Sequence, residues 1–352
     1  MADTFIPELC ERIRDAGARK GALCVRGGAT KDFYGGLPQG EVLDMTPYSG
    51  IVAYEPKELV LTVKAGTPLL EVERVLAAER QMLAFEPPRF GPRSTIGGVV
   101  AAGLSGPRRP YAGSLRDFVL GTRVVNGKGE DLAFGGRVIK NVAGYDVSRL
   151  MAGALGTLGV ITEISFKVLP RPAADMTLAY EMAEAQATEQ VNRWAGLPLP
   201  VSATAWQDGR LRVRISGAPA SLSAAKARMG GEEVDAGDYW RDLREHRLPF
   251  FQGASTLWRV SVPQTAAPLG THQAPLIEWG GGLRWIAGSD VDAMHVRTST
   301  ERAGGHATAF RGGRGVVPVF HPLKPASAKI HRRLKAAFDP AGILNPGRMY
   351  DF

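Results

Sequence analysis

Residues 86–121 read EPPRFGPRSTIGGVVAAGLSGPRRPYAGSLRDFVLG, and how this stretch folds decides how the rest of the chain is read. Seven glycines and five prolines fall between Pro87 and Gly121, which suits ligand-facing loop with one short helix near Gly98–Leu104. Ser94-Thr95-Ile96-Gly97-Gly98, then Ala101, Gly103 and Gly106, puts small residues on successive turns. A large planar ligand or a diphosphate can lie directly against main chain at such a surface. Close helix packing uses the same residue types, but the combined spacing favours a binding surface. Arg108, Arg109 and Tyr111 follow at once and can supply charge or a hydroxyl, and Pro88 and Gly113 complete the candidates from this stretch.

Upstream, Phe5, Leu9, Ile13 and Ala16 recur at helical spacing within residues 5–19. The short apolar run Leu23–Val25 then meets Arg26-Gly27-Gly28-Ala29-Thr30, a strand entering a tight loop. Two glycines allow such a loop to curl its N–H groups around a phosphate, with Thr30 adding a hydroxyl; a plain turn is the alternative. Strands are predicted at 42–45, 51–54 and 59–64, and a helix with Thr67 as N-cap and Pro68 at its first position runs to about Arg80. Downstream, Val119–Val125 and Glu130–Phe134 flank an Asn-Gly turn as a hairpin, residues 145–152 read as a helix, and Val160–Leu169 reads as a strand buried on both faces. A third cluster comprises Lys140–Asp146 and Gly153–Thr162; in it Gly156, Gly159, Val160 and Ile161 resemble a turn entering a strand whose backbone can bond an adenine. Neither GxGxxG nor a Walker lysine motif occurs, which disfavours Rossmann and P-loop folds.

Composition narrows the classes further. The chain has 352 residues, 43 of them glycine, and a net charge of +8 spread without basic runs between aromatics, so a nucleic-acid surface is disfavoured. Cys10 and Cys24 are the only cysteines, too few for an iron–sulfur cluster, and the six histidines are scattered, so no metal site is expected. The first residues lack a signal-peptide pattern and no window resembles a spanning helix, which places the chain in the cytoplasm, with any membrane contact made through partners at the inner face. Pro170-Arg171-Pro172 is the clearest boundary. Beyond it the glycine clusters thin out and helix and strand patterns alternate until a helix at 326–338 leads into the carboxyl end.

Together the loop at 26–30, the STIGG at 94–98, the Gly-Thr-Leu-Gly-Val-Ile-Thr at 156–162 and the FDPAGILNPGR at 338–348 resemble the FAD-binding domain of the vanillyl-alcohol-oxidase and p-cresol-methylhydroxylase family. Over GPRRPYAGSLRDFVLGTRVV, KNVAGYDVSRLMAG, LPFF with TLWR, and AGGHAT, the chain is similar to the FAD-binding subunits of bacterial glycolate oxidases (glycolate dehydrogenases). The resemblance implies an α+β fold: an FAD-binding domain of the p-cresol-methylhydroxylase (PCMH) type over residues 1–170, a reduced cap at 171–325, and a segment at 326–352 that returns to the flavin, with Asn345 among its contacts. The flavin is expected to be non-covalent, because the phosphate loop carries no histidine where covalent relatives commonly have one.

The same resemblance implies oxidation of glycolate or D-lactate to the 2-oxo acid within a complex. An iron–sulfur subunit would take the electrons, and a second FAD subunit would carry the histidine motif of the catalytic relatives. This chain lacks that motif, and its catalytic residues stay unassigned. His306, in Gly304-Gly305-His306-Ala307-Thr308, is the one histidine within a matching motif and is either a base or a structural residue. Lys140 and Arg109 are either contacts to a phosphate or carboxylate, or surface groups. The competing functions are a stand-alone FAD oxidase of a sugar or alditol and a non-catalytic flavoprotein scaffold.

Overall fold

The structure, a computed structural model, describes residues 4–136, 145–312 and 317–351. Nine strands come from its first half: β1 Leu23–Arg26, β2 Glu41–Asp44, β3 Ile51–Glu55, β4 Val60–Lys64, β5 Gln81–Met82, β6 Val119–Val125, β7 Asp131–Gly135, β8 Val160–Lys167 and β9 Leu169–Pro170. β1 and β2 are a parallel pair, β5 and β9 an antiparallel one, and the other five form an antiparallel sheet in the order β3-β4-β8-β6-β7. β8 is central because its dense apolar residues are buried on both faces, with Val160, Ile164 and Phe166 fully enclosed. The helices Leu69–Ala78 and Ile96–Ala102 bury Leu69, Val72, Leu76, Ile96 and Val100 in the same core.

The first of these helices starts one residue later than the sequence suggests. Pro68 is extended (φ −59°, ψ 133°) and occupies the cap position. Thr67 does not cap it, because its hydroxyl donates to the Lys64 carbonyl at 2.7 Å and accepts from the Gly50 amide at 2.9 Å. In the second helix Thr95 is the N-cap, its Oγ1 accepting from the Gly98 amide at 3.3 Å, and Gly103 ends the helix in the left-handed region at φ 65°.

After Pro170 the alternating patterns resolve into one antiparallel sheet of eight strands. These are β10 Ala174–Glu181, β11 Val201–Gln207, β12 Arg210–Gly217, β13 Glu232–Val234, β14 Thr256–Ser261, β15 Leu276–Glu278, β16 Leu283–Gly288 and β17 His306–Arg311, ordered β13-β10-β12-β11-β15-β16-β14-β17. One face buries Leu211, Val213, Val260 and Ile286 among residues of the helices Glu184–Ala195, Pro219–Met229 and Ala293–Arg302. The opposite face, with Ala205, Leu276, Leu283, Trp285 and Phe310, packs on Tyr34, Ala102, Leu104 and Leu155. The loops of the first half are thus sealed by the second sheet.

The helix Pro325–Phe338 leads back to β1, where the Leu23 amide donates to the Ile343 carbonyl at 2.7 Å and the Asn345 amide to the Leu23 carbonyl at 2.9 Å. Asn345, 5% exposed, accepts from the Val25 amide through Oδ1 and donates to the Leu155 carbonyl through Nδ2, both at 2.7 Å. One side chain therefore ties together three segments far apart in sequence. Asn345→Ala strands both backbone partners and puts alanine at φ 43°; we expect a loss of about 2–4 kcal/mol in urea unfolding. A loss below about 0.5 kcal/mol, the size usual for a surface change, would show that the clasp contributes nothing.

Candidate functional site

A groove of about 830 Å³, its open mouth included, runs between the loop after β1 and the helix Ile96–Ala102. One wall carries Arg26, Gly27, Gly28, Ala29 and Thr30; Thr95, Gly97, Gly98 and Ala101 form the floor; Gly156, Gly159, Ile161 and Asn345 close the far side. The three separate sequence clusters thus meet around a single space. Gly27 and Gly28 are required by contact with residues 93–95, with a side chain at Gly27 and with main chain at Gly28. A Cβ on Gly28 would sit 1.5 Å from the Arg93 carbonyl oxygen, and one on Gly27 would sit 2.2 Å from Thr95 Oγ1. Ala29 then takes φ 61°, which turns the chain sharply. Among the described residues no protein group accepts from the amides of Gly27, Gly28, Ala29 and Thr30. Four consecutive unpaired N–H donors on a groove wall suit an anion with several oxygens.

The paired glycines of the helix differ in role. A Cβ on Gly97 would lie 2.8 Å from Ala65 Cβ, and the Gly97 amide donates to the Ala65 carbonyl at 2.7 Å. Gly97 therefore lets the helix approach the end of β4. At Gly98 the added atom would meet only Thr95 Oγ1, at 3.3 Å, so this glycine keeps the groove open.

Several wall residues were not among the sequence candidates: Cys24, Val25, Lys31, Asp32, Ala65, Ala102, Leu155 and Arg348. Lys31 is the most informative. Its Nζ donates to Ser94 Oγ at 2.9 Å, to the Arg89 carbonyl at 3.2 Å and to Thr30 Oγ1 at 3.3 Å. Burial pushes this amine down to about 8, partly opposed by the charge of Glu245. A lysine directly after Gly-Gly-Ala-Thr was the available signal. Arg26 pairs with Asp32, and Arg348 donates to the carbonyls of Tyr34, Gly36 and Asp32, so the loop is pinned at both ends.

Other candidates lie elsewhere. Ser94 is 2% exposed and serves the groove only as an acceptor for Lys31. Ile96 and Val160 are core residues. Gly103 packs on Gly153, where a Cβ would be 2.7 Å from Cα. Arg109 stacks on Trp279 at 4.5 Å and lines a surface cleft with Gly113. Tyr111, raised to about 12 mainly by burial, bonds to Thr204 rather than reaching the groove. Pro88 and Gly106 line a second, water-sized cavity of about 20 Å³ beside Arg259 and Glu278. His306 begins β17, lines neither cavity, and has its imidazole lowered by burial and by Arg259 and His321. Lys140 lies outside the described residues. Among the described residues no group of three or more His, Cys, Asp or Glu side chains is placed to hold a metal.

Comparison with known proteins agrees with this geometry. A family model for an FAD binding domain matches residues 6–135, and one for the C-terminal domain of FAD linked oxidases matches residues 322–349. The chain is 47% identical over 342 residues to the glycolate oxidase subunit GlcE of Escherichia coli (strain K12), covering 97% of this chain and 96% of that protein. It is 36% identical to the glycolate oxidase subunit GlcD of Bacillus subtilis (strain 168), covering 92% and 83%. The solved structure of p-cresol methylhydroxylase superposes with a TM-score of 0.73 at 15% identity, over 97% of this chain and 87% of that one, which is a likeness of fold. FAD as cofactor and the α+β architecture are shared with its relatives: the chain belongs to the FAD-linked oxidoreductase family that includes the glycolate oxidase subunit GlcE.

Proposed function

We propose that this chain is the FAD-binding subunit of a glycolate-oxidising complex, in which residues 1–170 and 326–352 hold the cofactor and 171–325 form the cap. The observation that carries the reading is the row of unpaired amides at Gly27–Thr30 beside a buried lysine. These amides would take the pyrophosphate, Lys31 would supply the balancing charge, and Gly98 would leave the space the cofactor needs. The bound flavin supplies hydride acceptance from a 2-hydroxy acid. Glycolate, or D-lactate, is the substrate class suggested by the relatives. The two cysteines of this chain cannot hold a cluster, so electrons would leave through an iron–sulfur subunit, with a second flavin subunit completing the assembly. Among the described residues no helix is long and apolar enough to cross a membrane, so contact with one would be made by those partners.

The alternative is catalysis by the chain alone. Anaerobic mixing of the FAD-loaded chain with excess glycolate separates the two. We expect the flavin to stay oxidised until the other subunits are added; rapid bleaching without them would overturn the subunit reading.

Acid denaturation of the purified chain should release all of its flavin. Gly98→Leu should lower FAD content several-fold while unfolding stays cooperative, whereas Gly97→Leu should damage the fold as well. Full flavin occupancy in a folded Gly98→Leu protein would remove this groove as the cofactor site.

Lys31 makes cofactor binding a proton-linked event. Without an anion its amine is half-charged near pH 8; a pyrophosphate nearby raises that value, so above pH 8 the complex holds more protons than the free protein. Calorimetry at pH 8.5 in buffers of different ionisation enthalpy should therefore report proton uptake on FAD binding. The uptake should vanish in Lys31→Met, and equal uptake in both proteins would refute the assignment.

A further inference from the structure

The groove is lined by no residue between Ile161 and Asn345, yet a carboxylate from that interval reaches the segment behind it. Glu245 follows the helix Tyr239–Arg244, and its side chain is 4% exposed. Its Oε2 accepts from the amides of Arg89 and Phe90 at 3.1 and 2.9 Å, and its Oε1 from Arg244 Nε at 2.9 Å.

Residues 87–93 have little else to fix them. Pro87, Pro88 and Pro92 carry no N–H, and among the described residues no amide from Arg89 to Arg93 donates to another backbone group. Phe90 takes φ 52°, a conformation that a bulky residue keeps only when its surroundings impose it. This segment in turn backs the loop after β1. The Arg89 carbonyl accepts from Lys31 Nζ at 3.2 Å, and the Phe90 ring centroid lies 5.9 Å from the same amine. A Cβ on Gly91 would sit 3.2 Å from Thr30 Cγ2, and the Arg93 carbonyl lies against Gly28.

One peptide group joins the two charges. The C=O of Arg89 and the N–H of Phe90 belong to the same plane, so Lys31 sits at its carbonyl end and Glu245 at its amide end. Each charge polarises the group in the sense that strengthens the other's hydrogen bond. Relaxing Phe90 to a negative φ would rotate that plane and turn the carbonyl away from Lys31.

We propose that Glu245 is a positioning residue of the cofactor groove: through the peptide group between Arg89 and Phe90 it orients the carbonyl that holds Lys31. The second half of the chain thereby sets the phosphate end of a groove that it does not line. The inference rests on the cofactor reading above.

The other charges around this pair are answered elsewhere. Arg89 and Arg244 share Glu73, and Asp32 pairs with Arg26. His246, its ring 5.0 Å from that of Phe90, is pushed down to about 3 by burial and by Arg311 and Arg259, so it is neutral. Burial lowers the Lys31 amine to about 8 against the charge of Glu245. FAD affinity should therefore be level below about pH 8 and fall above it, as the free protein loses the Lys31 proton. Without the charge of Glu245 that proton leaves at lower pH, and the fall begins earlier.

Equilibrium dialysis of the FAD-loaded chain across this pH range tests the inference, with cooperative urea unfolding as the check that each variant is folded. In Glu245→Gln, whose side-chain oxygen can still accept from both amides, the fall should begin at least roughly half a pH unit lower. Glu245→Asp keeps the charge on a shorter stem; it should keep the native onset and bind FAD several-fold more weakly. On a Lys31→Met background the same Asp change should cost less than about twofold, because its effect passes through the amine. An unmoved onset in Glu245→Gln, or equal losses from Glu245→Asp in both backgrounds, would overturn the proposal and leave the groove reading intact. Native FAD affinity in Lys31→Met alone would overturn both.

Discussion

Two main chains touch at the foot of the groove with no side chain between them. Gly28 lies against the Arg93 carbonyl so closely that even one methyl group is excluded. That contact fixes where the loop after β1 sits relative to the helix Ile96–Ala102, and hence the width of the space between them. Among the described residues the loop's own amides meet no protein acceptor. Burying unpaired N–H groups costs stability, roughly 1–3 kcal/mol apiece when water is excluded. The groove is open to solvent on one side, which reduces that cost and leaves the donors available to a ligand.

The same economy governs charge. Glu86 and Glu245 are enclosed, but each has its oxygens occupied by arginines or backbone amides, and they act as braces for residues 86–90. Lys31 has acceptors for its hydrogens but no carboxylate within ion-pair distance among the described residues, and burial lowers its amine, with the more distant Glu245 only partly opposing it. Arg259 has neither acceptor nor ion pair there.

Much of the first half was legible in the sequence because its signals are local. A strand meeting Arg-Gly-Gly-Ala-Thr and the Asn-Gly hairpin each depend on a few neighbouring residues, and each lies where the pattern places it; the short helix expected near Gly98–Leu104 lies two residues earlier, because Thr95 caps it. Gly97 and Gly98 look identical in sequence, and only the position of Ala65, 32 residues away, assigns one to packing and the other to the groove. The eight-stranded sheet was not legible, because its order joins strands from Ala174 to Arg311 through contacts no spacing encodes.

The pairing of residues 343–345 with β1 has a temporal meaning. Residues 23 and 344 are neighbours in space, so the far wall of the groove cannot close until residue 344 has been made and has reached β1. Long-range contacts of this kind form late, after the cost of closing a large loop has been met. The nascent chain therefore folds through a stage in which β3, β4, β6 and β8 can already form a sheet while the groove is still open on one side. Lasting cofactor capture then waits for residues 343–345, the segment that closes the far wall.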